Sequence, residues 1–136
     1  MGRTEQYVVG LLEQLLGPRD HTNRFDWAVG DVSPATGRAV ELPFDAVWER
    51  RRLIMEVDEE QHREETPFFD KVDRLTVSGV HRGEQRRLYG ARKRAAAVEQ
   101  GYTVIVIEWP RSRRASVGDL DELRSRLEAE GIPTPG

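Results

Sequence analysis

The chain has 136 residues, 33% of them charged and none of them cysteine, and its formal net charge is −3. This length predicts a single domain over residues 1–136 with its own core, and the lack of cysteine excludes disulfides and thiolate metal sites and favours a reducing compartment. No apolar stretch reaches the length of a membrane span and the start shows no apolar signal segment, so we expect a cytoplasmic protein without membrane association.

Acidic and basic residues are segregated along the chain. Acids dominate residues 56–65, where Arg63 is the one base, and bases dominate residues 82–94, where Glu84 is the one acid. An acidic centre beside a basic segment is typical of a metal enzyme acting on a polyanion; the alternative is that both runs are ordinary solvated faces. The bases of the second run, called the basic segment below, are Arg82, Arg86, Arg87, Arg92, Lys93 and Arg94.

An amphipathic helix is predicted near the N-terminus. Thr4 is its expected N-cap, apolar residues recur at helical spacing from Val8 to Leu15, and Gly17 ends it. The following residues, 19–40, are rich in turn-forming residues, with a short strand predicted near 24–29.

A β-hairpin is predicted over residues 41–58, with the charged residues 49–52 as its loop. Alternation of side chains along the two strands gives one apolar face, which we expect to be buried, and a second face that collects carboxylates at one end. The predicted pairs are Trp48–Leu53, Ala46–Met55 and Phe44–Val57 on the apolar face, and Val47–Ile54, Asp45–Glu56 and Pro43–Asp58 on the other.

The pairing of Asp45 with Glu56 indicates a divalent metal site. Opposed residues on neighbouring strands have Cβ atoms roughly 5 Å apart, where two carboxylates repel unless a cation or a shared proton lies between them. Asp58 follows Glu56 by two residues and shares its face. Oxygen ligands favour Mg²⁺ or Mn²⁺ over zinc. The alternative is a hairpin whose polar outer face is simply solvated.

Two further residues are candidates for the same site. His62 lies four residues past Asp58 and could act as a general base near neutral pH, although a lone histidine is more often structural. Glu5 is aligned with the apolar face of the first helix, where an acid needs a partner, although its charge also suits a helix N-terminus.

The second half of the chain predicts two helices and one strand. A helix is expected from Glu84 to Gln100, closed by Gly101, then a buried central strand over 102–107, then a C-terminal helix over about residues 117–131. Residues 59–82 show no sustained period. The element order predicts an α/β fold with a central mixed sheet flanked by helices. The apolar residues of the first of these helices, expected to face inward, are Leu88, Ala91, Ala95 and Val98.

Two stretches together resemble the PD-(D/E)XK nuclease superfamily. They are Leu42–Asp45 and Glu56–His62, and the second is similar to the acid-to-histidine interval of very-short-patch repair endonucleases and related homing enzymes. The resemblance extends over about residues 4–107. It implies a restriction-endonuclease-like α/β sandwich, with a core over about residues 4–110.

The resemblance also implies roles for the site residues. Asp45 would be the principal metal ligand, Glu56 would complete the metal shell, and His62 would activate the attacking water. Glu5 matches a glutamate that the family's N-terminal helix supplies, and it would orient the site from outside the metal shell.

The sequence departs from the family pattern at two positions. Asp58 stands where many superfamily members have lysine, as is usual in the very-short-patch branch. Gly90 follows Tyr89 where the family's last acid is expected, and glycine cannot bind a metal. Either Asp70 or Asp73 replaces the missing acid, or the activity is weakened or lost.

These observations lead to the expectation of a Mg²⁺- or Mn²⁺-dependent DNA endonuclease. The basic segment would hold backbone phosphates, which makes binding strongly salt-dependent. Two alternatives remain open. One is a nucleic-acid binding module on a catalytically impaired nuclease fold, and the other is a small interaction protein that docks partners through its charged faces.

Overall fold

A computed structural model describes residues 2–59 and 82–135 of the chain. In the described residues no helix has both the length and the apolar character needed to cross a membrane. The chain is mixed α/β, with three helices, one short 3₁₀ turn and a three-stranded sheet among these residues. The elements are α1 (Arg3–Leu16), β1 (Ala46–Trp48), the 3₁₀ turn (Glu49–Arg51), β2 (Leu53–Asp58), α2 (Arg82–Glu99), β3 (Thr103–Glu108) and α3 (Asp119–Ala129).

The predicted hairpin register is confirmed for the three pairs next to the loop, whereas the predicted pairs Asp45–Glu56, Phe44–Val57 and Pro43–Asp58 fall outside β1, which begins at Ala46. Strand β1 pairs antiparallel with β2 through Ala46–Met55, Val47–Ile54 and Trp48–Leu53. The return is made by the 3₁₀ turn and by Arg52, whose φ of 49° places it in the left-handed region. The four charged residues therefore form the loop because the apolar residues on both sides need their strand partners.

Strand β2 is the middle strand of the described sheet. It pairs antiparallel with β1 and parallel with β3, in the order β1-β2-β3. The prediction that β3 is the central strand is wrong for the described residues, where β3 has β2 alone as a neighbour. The short strand predicted near residues 24–29 is reduced to one isolated bridge between Val29 and Glu41.

Both faces of the sheet are covered, which excludes, for the paired strands, the alternative of a hairpin whose outer face is simply solvated. On one face Ala46 and Met55 pack with buried residues of α1 and α3. On the other, Val47 and Ile54 pack with Ala97 of α2 and with aromatic residues of the 25–44 segment. Phe44 belongs to this second cluster rather than to the first, because β1 begins only at Ala46 and the alternation of side chains does not extend back to it.

The observed helix ends lie within two residues of the predicted ones. The end of α1 at Gly17 and the closure after α2 at Gly101 are confirmed, and both glycines have a φ of 90°. Helix α1 begins at Arg3, however, with Gly2 as its N-cap and no side-chain cap, so Thr4 is a first-turn residue and not the cap. The C-terminal helix ends at Ala129, before the predicted residue 131.

Helix α2 is rotated relative to the prediction. Leu88 and Val98, expected to face inward, are 45% and 60% exposed, and Ala91 and Ala95 are exposed as well. The helix instead turns Ala97, which is 0% exposed, and the half-buried Lys93 toward the sheet. The contact of Lys93 with the sheet therefore sets the orientation of α2, and the predicted apolar face of Leu88, Ala91, Ala95 and Val98 does not.

A second contact fixes the N-terminal half of α2. The Tyr89 hydroxyl accepts a hydrogen bond of 2.9 Å from the backbone N–H of Asp31. Its ring lies so close to Gly30 that a Cβ there would be 2.8 Å from a ring carbon. Glycine is therefore required at position 30 for this close approach between the loop and the helix.

Candidate active site

Asp45 lies at the bend just before β1. Its Oδ2 accepts a hydrogen bond of 2.7 Å from the backbone N–H of Val57. The side chain thus reaches across to β2 at the point where the register would place Asp45 opposite Glu56. The bond fixes the carboxylate at the end of the paired region, partly buried between the two strands.

Glu56 is a buried carboxylate held by cations from α2. It is 7% exposed, its Oε2 lies 2.9 Å from Nζ of Lys93, and its Oε1 lies 3.7 Å from Nη1 of Arg94. Burial raises the pKa of Glu56, Lys93 and Arg94 oppose that rise, and the nearby charge of Asp45 adds to it. Two carboxylates and two cations are thus packed into one partly buried site.

Lys93 is anchored on three sides. Besides Glu56, its ammonium donates a hydrogen bond of 2.7 Å to the carbonyl of Pro43 and lies 5.2 Å from the centre of the Phe44 ring. The ammonium is therefore fixed at the Glu56 end of the acidic cluster, with its side chain 16% exposed. Sequence reasoning placed Lys93 in the basic segment but gave no sign of its partner, which is 37 residues away.

Glu5 joins the cluster from the first turn of α1. Its pKa is raised to about 7, first by burial and then by the charge of Asp45, with which it also shares a hydrogen bond, and by Glu59. A protonated Glu5 therefore donates to the Asp45 carboxylate near neutral pH. Glu59, which lies nearby and is paired with Arg111 at 3.4 Å, is a member of the acidic cluster that sequence reasoning missed.

Asp45 also borders a polar cleft of about 360 Å³. The outer wall of the cleft is the segment 18–23, which is bound along β1 by a hydrogen bond of 2.8 Å from the Asp20 N–H to the Val47 carbonyl. Asn23 extends this attachment, because its backbone and its side-chain amide both bond to Phe44. The lining residues are Glu13, Pro18, Arg19, Asp20, His21, Asn23 and Asp45.

His21 is a second residue that sequence reasoning missed. It is exposed in the cleft and brings an imidazole to the same opening as the Asp45 carboxylate. An imidazole ring can both donate and accept a proton through its two nitrogens. Nothing in the sequence marks His21, because the loop that brings it to Asp45 follows no period.

The structure brings three of the predicted site residues together and leaves others apart. Glu5, Asp45 and Glu56 meet in the cluster described above. Asp58 lies on β2 beyond Glu56, partly buried and in register with Glu108 of β3. The predicted general base His62 and the substitute acids Asp70 and Asp73 lie outside the described residues, as does the side chain of Arg82.

The remaining members of the basic segment lie at different places around α2. Arg94 faces Glu56, whereas Arg92 is paired with Asp31 at 2.8 Å and lies over the Tyr89 ring. Arg86 and Arg87 are exposed. The segment is therefore not one continuous surface, and its contact with phosphates stays a prediction.

Gly90 lies on the side of α2 that faces the cluster. A Cβ at this position would be 3.0 Å from Nη1 of Arg94, the far end of a flexible side chain. Gly90 also precedes Lys93 by three residues, so the two share one helical face. An acid at position 90 would therefore project toward Arg94 and the neighbourhood of Glu56.

The acids of the cluster can be matched against the oxygen ligands that a divalent cation prefers. Among residues 2–59 and 82–135 no three acidic or histidine side chains are arranged as a ready cation site. The pair Glu5 and Asp45 nevertheless fits a hard cation, because two carboxylates share one proton where a cation could replace it. Glu56, in contrast, already has Lys93 as its counter-charge.

Comparisons with models of protein families, with curated proteins and with solved structures give no match for this chain.

Proposed function

We propose that this protein is a metal-dependent DNA endonuclease with the α/β sandwich of the PD-(D/E)XK superfamily, similar to the very-short-patch repair branch. The observation that carries the proposal is that the Asp45 carboxylate interacts both with Glu5 of α1 and with the buried Glu56 of β2, which is paired with Lys93 at 2.9 Å. A mixed sheet covered on both faces supports the proposed sandwich.

Glu5 and Asp45 are the residues that would hold the cation, which we propose to be Mg²⁺ or Mn²⁺. When bound, the cation would supply Lewis-acid stabilisation for the charge that develops on the phosphate. Asp45 is held in place by the Val57 N–H, so its carboxylate is already oriented. Glu5 must lose its proton first, and with a pKa of about 7 it does so near neutral pH. Glu56 and Asp58 remain proposed ligands from the sequence, but Glu56 would have to give up its pairing with Lys93 to reach the cation.

Lys93 would supply the positive charge that many members of the superfamily place on the strand. In this chain that strand position is Asp58, and the ammonium arrives instead from α2 at 2.9 Å from Glu56. A fixed cation in a partly buried site stabilises negative charge more strongly than a solvated one. We propose that Lys93 stabilises the developing charge of the phosphodiester and does not serve as a peripheral phosphate contact.

Two histidines are candidates for the proton transfers. His62, whose position follows the family pattern, remains the proposed general base. His21, in the cleft that Asp45 borders, is a second candidate for a proton transfer. A metal enzyme that splits a phosphodiester needs a base for the water and benefits from an acid for the leaving oxygen.

DNA would approach the cluster along the side of α2 that bears Arg94. Arg94 is 38% exposed and 3.7 Å from Glu56, so it can reach a phosphate next to the cluster. We propose that Arg86 extends this contact toward the start of the helix, with Arg82, Arg87 and Arg92 at its margins. Backbone contacts of this kind do not depend on base sequence and weaken as salt rises.

A nucleic-acid binding module without cleavage activity is the second candidate function. Gly90 favours it, because the position that faces Arg94 carries no acid. In that case binding would need no metal.

The proposal is tested by incubating supercoiled plasmid with the protein in Mg²⁺, in Mn²⁺ and in EDTA. We expect nicked or linear product with either metal and none in EDTA. Asp45→Asn should abolish the product, and Asp26→Asn, at an exposed acid outside the cluster, is the matched control. Metal-independent binding without product would identify the binding module. No binding of DNA or RNA at low salt would instead favour an interaction protein.

A further inference from the structure

A buried carboxylate joins helix α1 to helix α3. Asp119, at the start of α3, is 2% exposed, and its Oδ2 accepts a hydrogen bond of 2.7 Å from the hydroxyl of Tyr7. The same oxygen accepts a bond of 2.8 Å from the backbone N–H of Ser116, and Oδ1 accepts one of 3.0 Å from Arg113. A buried carboxylate with three donors is held firmly in place, so Tyr7 binds to a rigid acceptor.

Asp119 is in turn attached to the end of β2. Arg113 lies 3.6 Å from the centre of the Trp109 ring, which is 1% exposed and also meets the Tyr7 ring edge-on at 6.0 Å. The backbone N–H of Trp109 donates a hydrogen bond of 2.8 Å to the carbonyl of Asp58, the last residue of β2. This connection, called the clasp below, therefore ties α1 and α3 to the strand end beside the acidic cluster. Its members are Tyr7, Asp119, Arg113 and Trp109.

The first turn of α1 lies ahead of the buried residues of that helix. Its N-cap, Gly2, makes no side-chain hydrogen bond, and Val8 is the first residue of α1 that is buried. Glu5 lies in this turn beside Asp45 and Glu59, and ionised carboxylates this close repel each other. Terminal turns of helices fray readily. Repulsion among the acids would therefore move the first turn away from Asp45 unless another contact holds α1.

We propose that Tyr7 is a positioning residue for the metal site, and that its hydrogen bond to Asp119 holds Glu5 beside Asp45. The inference rests on the proposed function, because that function assigns these two acids to the cation. Two ligands that are held together against their repulsion bind a cation more tightly than two that must first be brought together. Tyr7 follows Glu5 by two residues and points to the other side of the helix, toward α3. It therefore acts through the orientation of α1 and not by contact with the cation.

Tyr102 provides a matched comparison for a purely structural role. Its hydroxyl donates a hydrogen bond of the same length, 2.7 Å, to Oε2 of Glu49, and the residue is 7% exposed. Tyr102 belongs to the core cluster on the other face of the sheet, away from the clasp. Tyr7→Phe and Tyr102→Phe each delete one hydrogen bond between a tyrosine and a carboxylate. If the clasp served stability alone, the two variants would affect metal binding alike.

The test measures binding of Mn²⁺ to the whole protein by electron paramagnetic resonance, without DNA. Tyr7→Phe removes the hydroxyl and keeps the ring that packs against Trp109. We expect this variant to bind Mn²⁺ about tenfold more weakly than the wild type, as is common when a residue that supports a metal ligand is replaced. Tyr102→Phe should leave the Mn²⁺ affinity unchanged.

Plasmid cleavage provides a second measurement. Tyr7→Phe should raise the Mn²⁺ concentration for half-maximal cleavage by the same factor and reach the wild-type rate at saturating Mn²⁺, because the acids themselves are intact. Wild-type Mn²⁺ affinity in Tyr7→Phe, or an equal loss in Tyr102→Phe, would overturn the positioning role and leave the nuclease proposal standing. Mn²⁺ binding that depends on Tyr7 in a protein that cleaves no DNA would support the positioning role and overturn the nuclease proposal. A wild type that binds no Mn²⁺ would overturn both.

Discussion

Helices α1 and α2 have similar amphipathic patterns and opposite outcomes. In α1 the apolar residues, Val8 and Leu12 among them, are 0% exposed and form part of the main core. In α2 the equivalent residues face solvent, and the helix presents Lys93 to the sheet. The difference lies in what each helix meets: α1 packs on the apolar side of β2, whereas α2 packs on the side that carries the buried Glu56.

The energies explain why the charge decides. Burying one leucine or valine side chain contributes about 1.5–3 kcal/mol, and Leu88 and Val98 are already partly covered where they lie. Leaving one member of a buried ion pair without its partner costs about 3–5 kcal/mol. Helix α2 therefore packs with the side that pairs Lys93 with the buried Glu56, and its apolar side stays exposed. An apolar period therefore predicts a helix reliably, but it predicts the buried side of that helix only where no buried charge competes for the same contact.

The largest expected effect comes from removing the counter-charge. Lys93→Ala should lower the free energy of unfolding by about 3–5 kcal/mol, because Glu56 stays buried with Arg94 alone at 3.7 Å. Arg92→Ala, which breaks the half-exposed pair with Asp31, should cost less than about 1 kcal/mol. Urea denaturation measures both.

The double variant Lys93→Met with Glu56→Gln sharpens this prediction. It removes both charges, so most of the lost stability should return. A Lys93→Ala variant as stable as the wild type would show that the ion pair does not orient α2.

The second prediction compares the two apolar faces directly. Leu12→Ala, at a residue that is 0% exposed, should destabilise the protein by about 2–5 kcal/mol because it leaves a cavity. Leu88→Ala should change stability by less than about 1 kcal/mol, since Leu88 is 45% exposed. Equal losses of stability in urea denaturation would mean that Leu88 is buried in solution.

These cases show which parts of the molecule the sequence could predict. The hairpin register follows from local alternation and a charged loop, and with it the closeness of Asp45 to Glu56. The alignment of Glu5 with the buried face of α1 likewise follows from helical spacing.

Other features depend on contacts between distant segments. The partner of Lys93 is 37 residues away, His21 reaches Asp45 only through the path of a loop, and Phe44 changes face where the strand begins. None of these leaves a periodic signal, so no local pattern could have revealed them.

The third prediction concerns pH and the polar end of α1. The pKa of Glu5 is raised to about 7 from an ordinary value of 4.5, so the folded state binds this proton more tightly than the unfolded state does. The contribution of Glu5 to stability is therefore complete below pH 4.5 and is lost as the pH rises through about 7. Glu5→Gln should flatten this dependence and be more stable than the wild type at pH 8. A parallel decline in both proteins would assign it to other groups.

Added Mg²⁺ should stabilise the protein most at high pH, where the stability contributed by the Glu5 proton is lost. Mg²⁺ binds the native chain and relieves the repulsion between Glu5 and Asp45, so it should raise the melting temperature more at pH 8 than at pH 5.5. Asp45→Asn should abolish the shift, whereas Asp26→Asn should keep it. An equal shift in the Asp45 variant would place the metal elsewhere.

The smallest expected effect on stability concerns Gly90, on the face that α2 turns toward the cluster. Gly90→Ala should stabilise the helix by up to about 1 kcal/mol, since glycine is a poor helix former and the space is bounded only by the end of Arg94. Gly90→Asp should gain less from propensity but adds a carboxylate beside Arg94. If this carboxylate supplies the missing family acid, Gly90→Asp raises Mg²⁺-dependent plasmid cleavage and Gly90→Ala does not. Ala91→Asp is the control, because it places the same charge at the next residue, which is exposed. Unchanged cleavage by this variant would separate a ligand at the cluster from a general effect of charge. Strong cleavage by the wild type that Gly90→Asp leaves unimproved would mean that another acid completes the site, with Asp70 and Asp73 the first to replace.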